Sequence, residues 1–351
     1  MYKYKPDFDR VKEYFRAFWA QEIYDRPLIA VTAPKNEKSI PLPYLAGAKD
    51  GNYLAALQKF RVYAENTYFA GEAIPAFDCS FGPDMYAAFF GGKISMGEAD
   101  TTWVDPFLDD IEGDDLHLLR DKESTFYKIL EYVRVAAEYS NGDFLVNMLD
   151  LHGNLDALSA ARGPQNFMFD FYDSEDGVLR QTQNILNAYD EIIESVARAG
   201  KMEERGYIGW APTYSEEKFA VVQCDVSCML SPEMVKKFAI PAIEYEVNHL
   251  KKCVYHYDGK EALGHIDDIL AIKGIDVIQW VPGAGQPRSI EWMDLLKKIQ
   301  AAGKGLWIYD WSAEEIVAHC KELKPEGLLF SLGVQTPKQA DELIQKVKNL
   351  Y

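Results

Sequence analysis

The chain has 351 residues, 48% of them hydrophobic and 13% aromatic, with a formal charge of −18 and a pI near 4.8. That hydrophobic content suits a large packed core and excludes the composition of a disordered chain. The acidity argues against nucleic acid or an anionic membrane as partner, because both recruit basic patches that displace counterions.

The opening Met1-Tyr2-Lys3-Tyr4-Lys5-Pro6 is charged and lacks the apolar core of a secretory signal. No run approaches the roughly 18 apolar residues of a membrane-spanning helix. The expected location is cytoplasmic, where Cys79, Cys224, Cys228, Cys253 and Cys320 stay reduced. The Cys224-x3-Cys228 spacing does not match a zinc knuckle. No repeat, low-complexity tract or linker divides the sequence, so a single domain over 1–351 is expected, with a helical lead-in over 1–26.

Beyond that lead-in, short apolar runs recur at 27–33 (PLIAVTA), 74–79 (IPAFDC), 144–149 (FLVNML), 219–224 (FAVVQC), 253–257 (CVYHY), 276–280 (DVIQW), 305–309 (GLWIY) and 327–331 (GLLFS). Amphipathic helical stretches separate them. Ser231-Pro232-Glu233 supplies a cap, an early Pro and an early acid for a helix over 234–250. Ser312-Ala313-Glu314-Glu315 does the same for 316–323, and Thr336-Pro337 opens a last helix through Leu350. Strands that are apolar throughout and alternate with helices imply a parallel sheet covered on both faces. The expected fold class is therefore α/β, a (β/α)8 TIM-type barrel with a closed parallel sheet and small insertions at its C-terminal face. Two segments fit less simply: 207–210 (YIGW) competes with 219–224 for one strand position, and 93–112 reads as an inserted loop or hairpin.

In such barrels the reactive groups come from the C-terminal strand ends and the loops after them. That rule selects Asp78 and Cys79, Asp150 and His152, Trp210 and Tyr214, Asp225, His256 and Asp258, Gln279 and Trp280, Tyr309 and Asp310, and Ser331. His256 and Asp258 lie two apart, so on a strand both side chains share a face, and Gly259 permits a tight turn after them. An imidazole and a carboxylate so placed can chelate a metal or act as an oriented acid–base pair; a strand-end His bonded to a helix-capping Asp is the structural alternative. Asp225, between an apolar run and Val226-Ser227-Cys228, needs a partner or a role. Trp210, Trp280 and Tyr309 could form a stacking wall for a small molecule, with capping of the core as the structural alternative. His117, His249, His265 and His319 fall away from strand ends. Gly283-Ala284-Gly285 lacks the third glycine of a dinucleotide fingerprint and reads as a flexible loop, and the acidic run over 109–115 reads as a solvated one.

The stretch Gln223-Cys224-Asp225-Val226-Ser227-Cys228-Met229-Leu230-Ser231-Pro232-Glu233-Met234, continuing through Phe238-Ala239-Ile240-Pro241, resembles the signature segment of the uroporphyrinogen decarboxylase superfamily. Tyr255-His256-Tyr257-Asp258-Gly259 and Ile278-Gln279-Trp280 fall where that superfamily carries its next strands, and the likeness spans roughly 205–351. The resemblance implies a (β/α)8 barrel that is either a cofactor-free decarboxylase or a methyltransferase working with a corrinoid protein. The methyltransferase branch has His-x-Cys and a later Cys on zinc; here His256 matches, Asp258 replaces the first Cys, and Ser331-Leu332-Gly333 offers no second. The decarboxylase branch has paired arginines in an N-terminal segment, where this chain has Arg26-Pro27-Leu28-Ile29-Ala30-Val31-Thr32 and no Arg pair.

The resemblance thus implies a methyltransferase or demethylase that moves a methyl group from a small methylated compound to a corrinoid carried by a partner protein. His256, Asp258 and Asp225 would be its catalytic residues. Zinc or another divalent metal would sit on His256 and Asp258. Asp78, His152, Trp210, Tyr257, Gln279, Trp280, Tyr309 and Asp310 would bind substrate, and a homodimer is one assembly open to the chain. A decarboxylase or lyase of a small carboxylated substrate, and a non-catalytic small-molecule-binding barrel, are the alternatives.

Overall fold

The computed structural model describes residues 3–36, 39–43, 45, 51–97 and 101–351. The first helix, Phe8–Trp19, buries Phe8, Val11, Phe15 and Phe18, the helical spacing of one apolar face. Strand β1 (Leu28–Pro34) follows, then helix Tyr53–Asn66, which runs straight into β2 (Thr67–Gly71). After the short β3 (Ala76–Phe77) comes the antiparallel hairpin of β4 (Lys93–Met96) and β5 (Thr102–Asp105), inside the segment read as an insertion. Helix Thr125–Ser140 leads to β6 (Leu145–Val146), and a run of helices from Asn154 to Arg205 leads to β7 (Tyr207–Ile208) and β8 (Tyr214–Ser215). The rest alternates strand and helix through β9 (Phe219–Val222), β10 (Lys252–Asp258), β11 (Val277–Val281), β12 (Gly305–Ile308) and β13 (Leu328–Gly333).

Seven strands form one sheet in the order β2-β1-β13-β12-β11-β10-β9. Every pairing in it is parallel except that of β2 with β1. All four residues of β9 and of β12 are buried, as expected of strands covered on both faces. The arrangement is TIM-like, but among the described residues the ladder does not close. The closed eight-stranded ring expected from the sequence is replaced by this seven-stranded sheet and a separate parallel pair, β3 with β6. The reason is local: β2 folds back and takes the free edge of β1, leaving β3 to pair only with β6. The segments 207–210 and 219–224 also separate, β9 joining the main sheet beside β10 while β7 pairs antiparallel with β8. A bond from the Met148 N–H to the Ile208 carbonyl, 2.6 Å, ties β6 to β7.

The helix expected over 234–250 begins with Ser231 capping the Met234 N–H, passes through one π-turn at Val235–Ala239, and resumes as Ile240–Asn248. Pro241 explains the widened turn, because it has no N–H to give to a carbonyl four residues back. Ser312 and Thr336 each form a capping box, with Glu315 and Gln339 respectively, and so fix the starts of Ala313–His319 and Pro337–Lys348. Below the sheet Arg26 makes a bidentate pair with Glu72, 2.8 Å on each arm, with both side chains almost fully buried. Glu72 also accepts the Ile29 N–H, which pins the turn after β2 to β1. All five cysteines are free, and among the described residues no helix is long and apolar enough to cross a membrane.

Candidate active site at the strand ends

The register aligns His256 of β10 with Gln279 of β11, and Gln279 with Trp307 of β12, so three neighbouring strands present one row of side chains. His256 Nδ1 lies 2.6 Å from Gln279 Oε1. An amide oxygen can only accept, so Nδ1 carries the proton and the Nε2 lone pair is left for a ligand. Asp258 follows on the same face, and Gly259, at φ +85, turns the chain immediately afterwards. Asp225 opens a short 3-10 turn, Asp225–Met229, just past β9. Asp225, His256 and Asp258 each offer one ligand atom, all within 4.8 Å of one another. One carboxylate oxygen of Asp225 and one of Asp258 are shielded from solvent without a hydrogen-bond partner. Burial holds the Asp258 carboxyl above the usual carboxylate range; His256 opposes the shift and the Asp225 charge adds to it.

A second group adjoins the first through Asp225. His152, Asp156 and Asp225 also bring ligand atoms within 4.8 Å of one another. His152 Nε2 is 3.6 Å from Asp150 and its Nδ1 is 3.8 Å from Asp225. Burial disfavours its imidazolium, but Asp150 foremost, then Asp156 and Asp225, outweigh that and raise it to about 9. Asp156 accepts the backbone N–H groups of Asp225 and Val226, 2.9 Å each, and so holds the turn that carries Asp225. Burial and the Asp225 charge push the Asp156 carboxyl up to about 7.

Beside these groups lies a cavity of about 470 Å³, lined among others by Tyr63, Phe77, Asp78, Asn147, Trp210 and Ser331. Burial, with the Asp150 charge second, pushes the Asp78 carboxyl up to about 7, although Asp78 accepts the Ser80 N–H at 3.0 Å. Trp210 is the wall between cavity and ligand groups: its ring meets His256 edge-on at 5.3 Å and Trp307 at 5.4 Å. Tyr309 continues this wall, 6.2 Å from Trp307, and with Asp258, Asp310, Gly283 and Ala284 lines a second cavity of about 410 Å³.

Tyr214, also selected from the sequence, packs edge-on against Phe8 at 5.1 Å with its hydroxyl donating to the Arg205 carbonyl, and three further residues are taken up by other contacts. Tyr257 is buried on the opposite face of β10 from His256, and its hydroxyl donates to the Ala262 carbonyl. Trp280 alternates with Gln279 in the same way and packs on Tyr257 and Trp292 at 5.6 and 5.4 Å, so it is a core residue behind the sheet. Asp310 is occupied by Ser289, accepting from both its N–H and its hydroxyl. Trp307, which donates to Ser331 Oγ at 2.7 Å, stands where Trp280 was expected.

Sequence reasoning missed Asp156, Asn147, Asn154 and Glu246. Asp156 was findable, since it lies four residues after His152 at the start of helix Asn154–Arg162. Asn154 and Glu246 carry no such signal. Asn154 is fully buried at φ +41 and donates to the Gln223 carbonyl (2.8 Å) and to Glu246 (2.7 Å). A Cβ on Gly153 would stand 2.2 Å from Glu246 Oε1, so any larger residue there would displace the Glu246 carboxylate. Gln223 in turn donates to Asp150 at 3.2 Å, so the buried layer under the site reaches the carboxylate beside His152.

Strand-end ligand groups beside a walled cavity, on a mostly parallel sheet covered by helices, are the features of an α/β protein with a binding site at its strand ends. No family model and no curated protein matches the sequence. Among solved structures, a methyltransferase from Methanosarcina mazei is similar over 100% of this chain and 99% of its own, with a TM-score of 0.63 and 14% identity. That likeness extends to the fold.

Proposed function

We propose that this chain is a methyltransferase-type enzyme that takes a methyl group from a small methylated compound held in the cavity at Trp210, for transfer to a corrinoid carried by a partner protein. The observation that carries the reading is the Asp225–His256–Asp258 group, set edge-on to Trp210 across one wall of that cavity. The full-length structural likeness to a methyltransferase supports the same class.

Asp225, Asp258 and His256 Nε2 would hold a divalent cation. Two solvent-shielded carboxylate oxygens without partners and an imidazole oriented by Gln279 suit one. With no thiolate in the set, these donors favour a harder ion than a zinc–thiolate centre would hold. A bound cation would act as a Lewis acid toward an oxygen or a free amine nitrogen losing the methyl group; an ammonium nitrogen has no lone pair to coordinate and needs no such help, because it leaves as a neutral amine. The chain's own contribution is positional: Trp210 and Phe77 exclude water from one side of the substrate, and Gln279 fixes the His256 ring. Asp156 holds the Asp225 turn through two backbone N–H groups.

The test is methyl transfer to free reduced cobalamin, followed spectrally, from a panel of methoxy and methylamino compounds with Mn²⁺ or Zn²⁺ present. His256→Ala should lower the rate by about 100-fold or more. Undiminished transfer by His256→Ala would remove the cation group from the mechanism.

A further inference from the structure

We infer that the cavity at Trp210 selects a small cation bearing N-methyl groups over neutral or anionic methylated compounds; this rests on the substrate site proposed above and names its occupant. The polar groups facing the cavity are the first ground. Asp78 lines it, and Asn147, only 7% exposed, lines it with a side-chain oxygen that has no hydrogen-bond partner. Among the described residues that line the cavity there is no lysine or arginine. An anion would meet a carboxylate with no countercharge. A neutral ether would give the Asp78 carboxyl no countercharge and leave it to take up a proton, whereas a cation keeps it ionised and gains the ion pair.

The walls are the second ground. Tyr63, Phe69, Phe77 and Trp210 contribute to the lining, and aromatic faces attract ammonium methyl groups through their quadrupoles, most strongly when the cation is desolvated. A carboxylate together with several aromatic rings in an otherwise apolar lining is an arrangement that recognises a quaternary or tertiary ammonium. The volume, about 470 Å³, lies in the range of small-ligand pockets. The chain's net charge of −18 favours the approach of a cation at low salt.

The experiment compares isosteres by calorimetry on the unmodified protein with no methyl acceptor present: choline against 3,3-dimethyl-1-butanol, which replaces the nitrogen by carbon. Choline should bind at least tenfold more tightly, and Asp78→Asn should remove most of that difference while leaving the alcohol's affinity unchanged. Trp210→Leu should weaken choline more than the alcohol, with thermal melting to confirm that both variants are folded. Equal or tighter binding of the alcohol, or no binding of either probe, overturns the inference. Because no transfer is measured, the two readings fail separately. A choline-selective cavity in a protein that never transfers methyl groups would sink only the methyltransferase reading. Transfer from neutral methoxy compounds by a protein indifferent to choline would sink only the cation.

Discussion

His256 Nδ1 and Gln279 Oε1, on adjacent parallel strands in direct register, lie 2.6 Å apart, and this contact decides which imidazole nitrogen faces Asp225 and Asp258. Partners of this kind, one step removed from a metal, typically contribute about 10- to 100-fold to affinity. Gln279→Leu should therefore weaken Zn²⁺ or Mn²⁺ binding by about that factor in a calorimetric titration, with the melting temperature little changed. Equal affinity in the variant would show that the ring needs no such support.

The Arg26–Glu72 pair presents a contrasting case, an ion pair with both side chains almost fully buried. Glu72 satisfies both guanidinium arms and the Ile29 N–H at once, so removing it strands a buried cation and a backbone donor together. Glu72→Ala should cost about 3–5 kcal/mol in urea unfolding. The paired change Arg26→Met with Glu72→Leu should recover most of the loss, because two apolar groups of similar volume leave no charge uncompensated.

A smaller effect tests the capping chemistry. Ser312 Oγ accepts the Glu315 N–H while the Glu315 carboxylate accepts the Ser312 N–H. Ser312→Ala should destabilise the protein by about 1 kcal/mol, and Ser312→Asp should restore most of it. A loss below about 0.3 kcal/mol would mean that packing alone holds Ala313–His319 in place.

The strands that proved easiest to read, β1 and β9 to β13, are continuous apolar runs bounded by helix caps, because both of their faces are covered. Strand β2 was not legible. Thr67–Gly71 follows Asn66 without a breaker, and its pairing with β1 is a tertiary event that also keeps the sheet from closing. In the site, period-two alternation placed His256 and Asp258 together, and the same alternation turns Tyr257 and Trp280 away. Residue type and nearness in sequence point to both aromatics, but the alternation overrides them. Asn147, Asn154 and Glu246 were invisible for another reason: their importance comes from unpaired or strained atoms, which exist only once the chain has folded.

Glu246 supplies a pH prediction whose sign follows from its burial. It is 2% exposed, has one carboxylate oxygen without a partner, and is pushed up to about 8 by burial, against the lowering effect of its bond to Asn154. Unfolded, it returns to the ordinary value of 4.5. Between these values the native state keeps a proton that the unfolded state has released. The contribution is therefore full below about pH 4.5, declines as pH rises, and is gone above about 8. At about 1.4 kcal/mol per pKa unit the span is of order 5 kcal/mol. Asp78 and Asp156, both raised to about 7, slope the same way, so only a difference between variants isolates Glu246. Glu246→Gln, which keeps an acceptor for Asn154 and cannot ionise, should narrow the gap in unfolding free energy between pH 5 and pH 8.5 by a few kcal/mol. Denaturant titrations at the two pH values measure that gap, and an unchanged gap in the variant would mean that Glu246 is ionised in the native protein, with water or an unrecognised donor on its second oxygen.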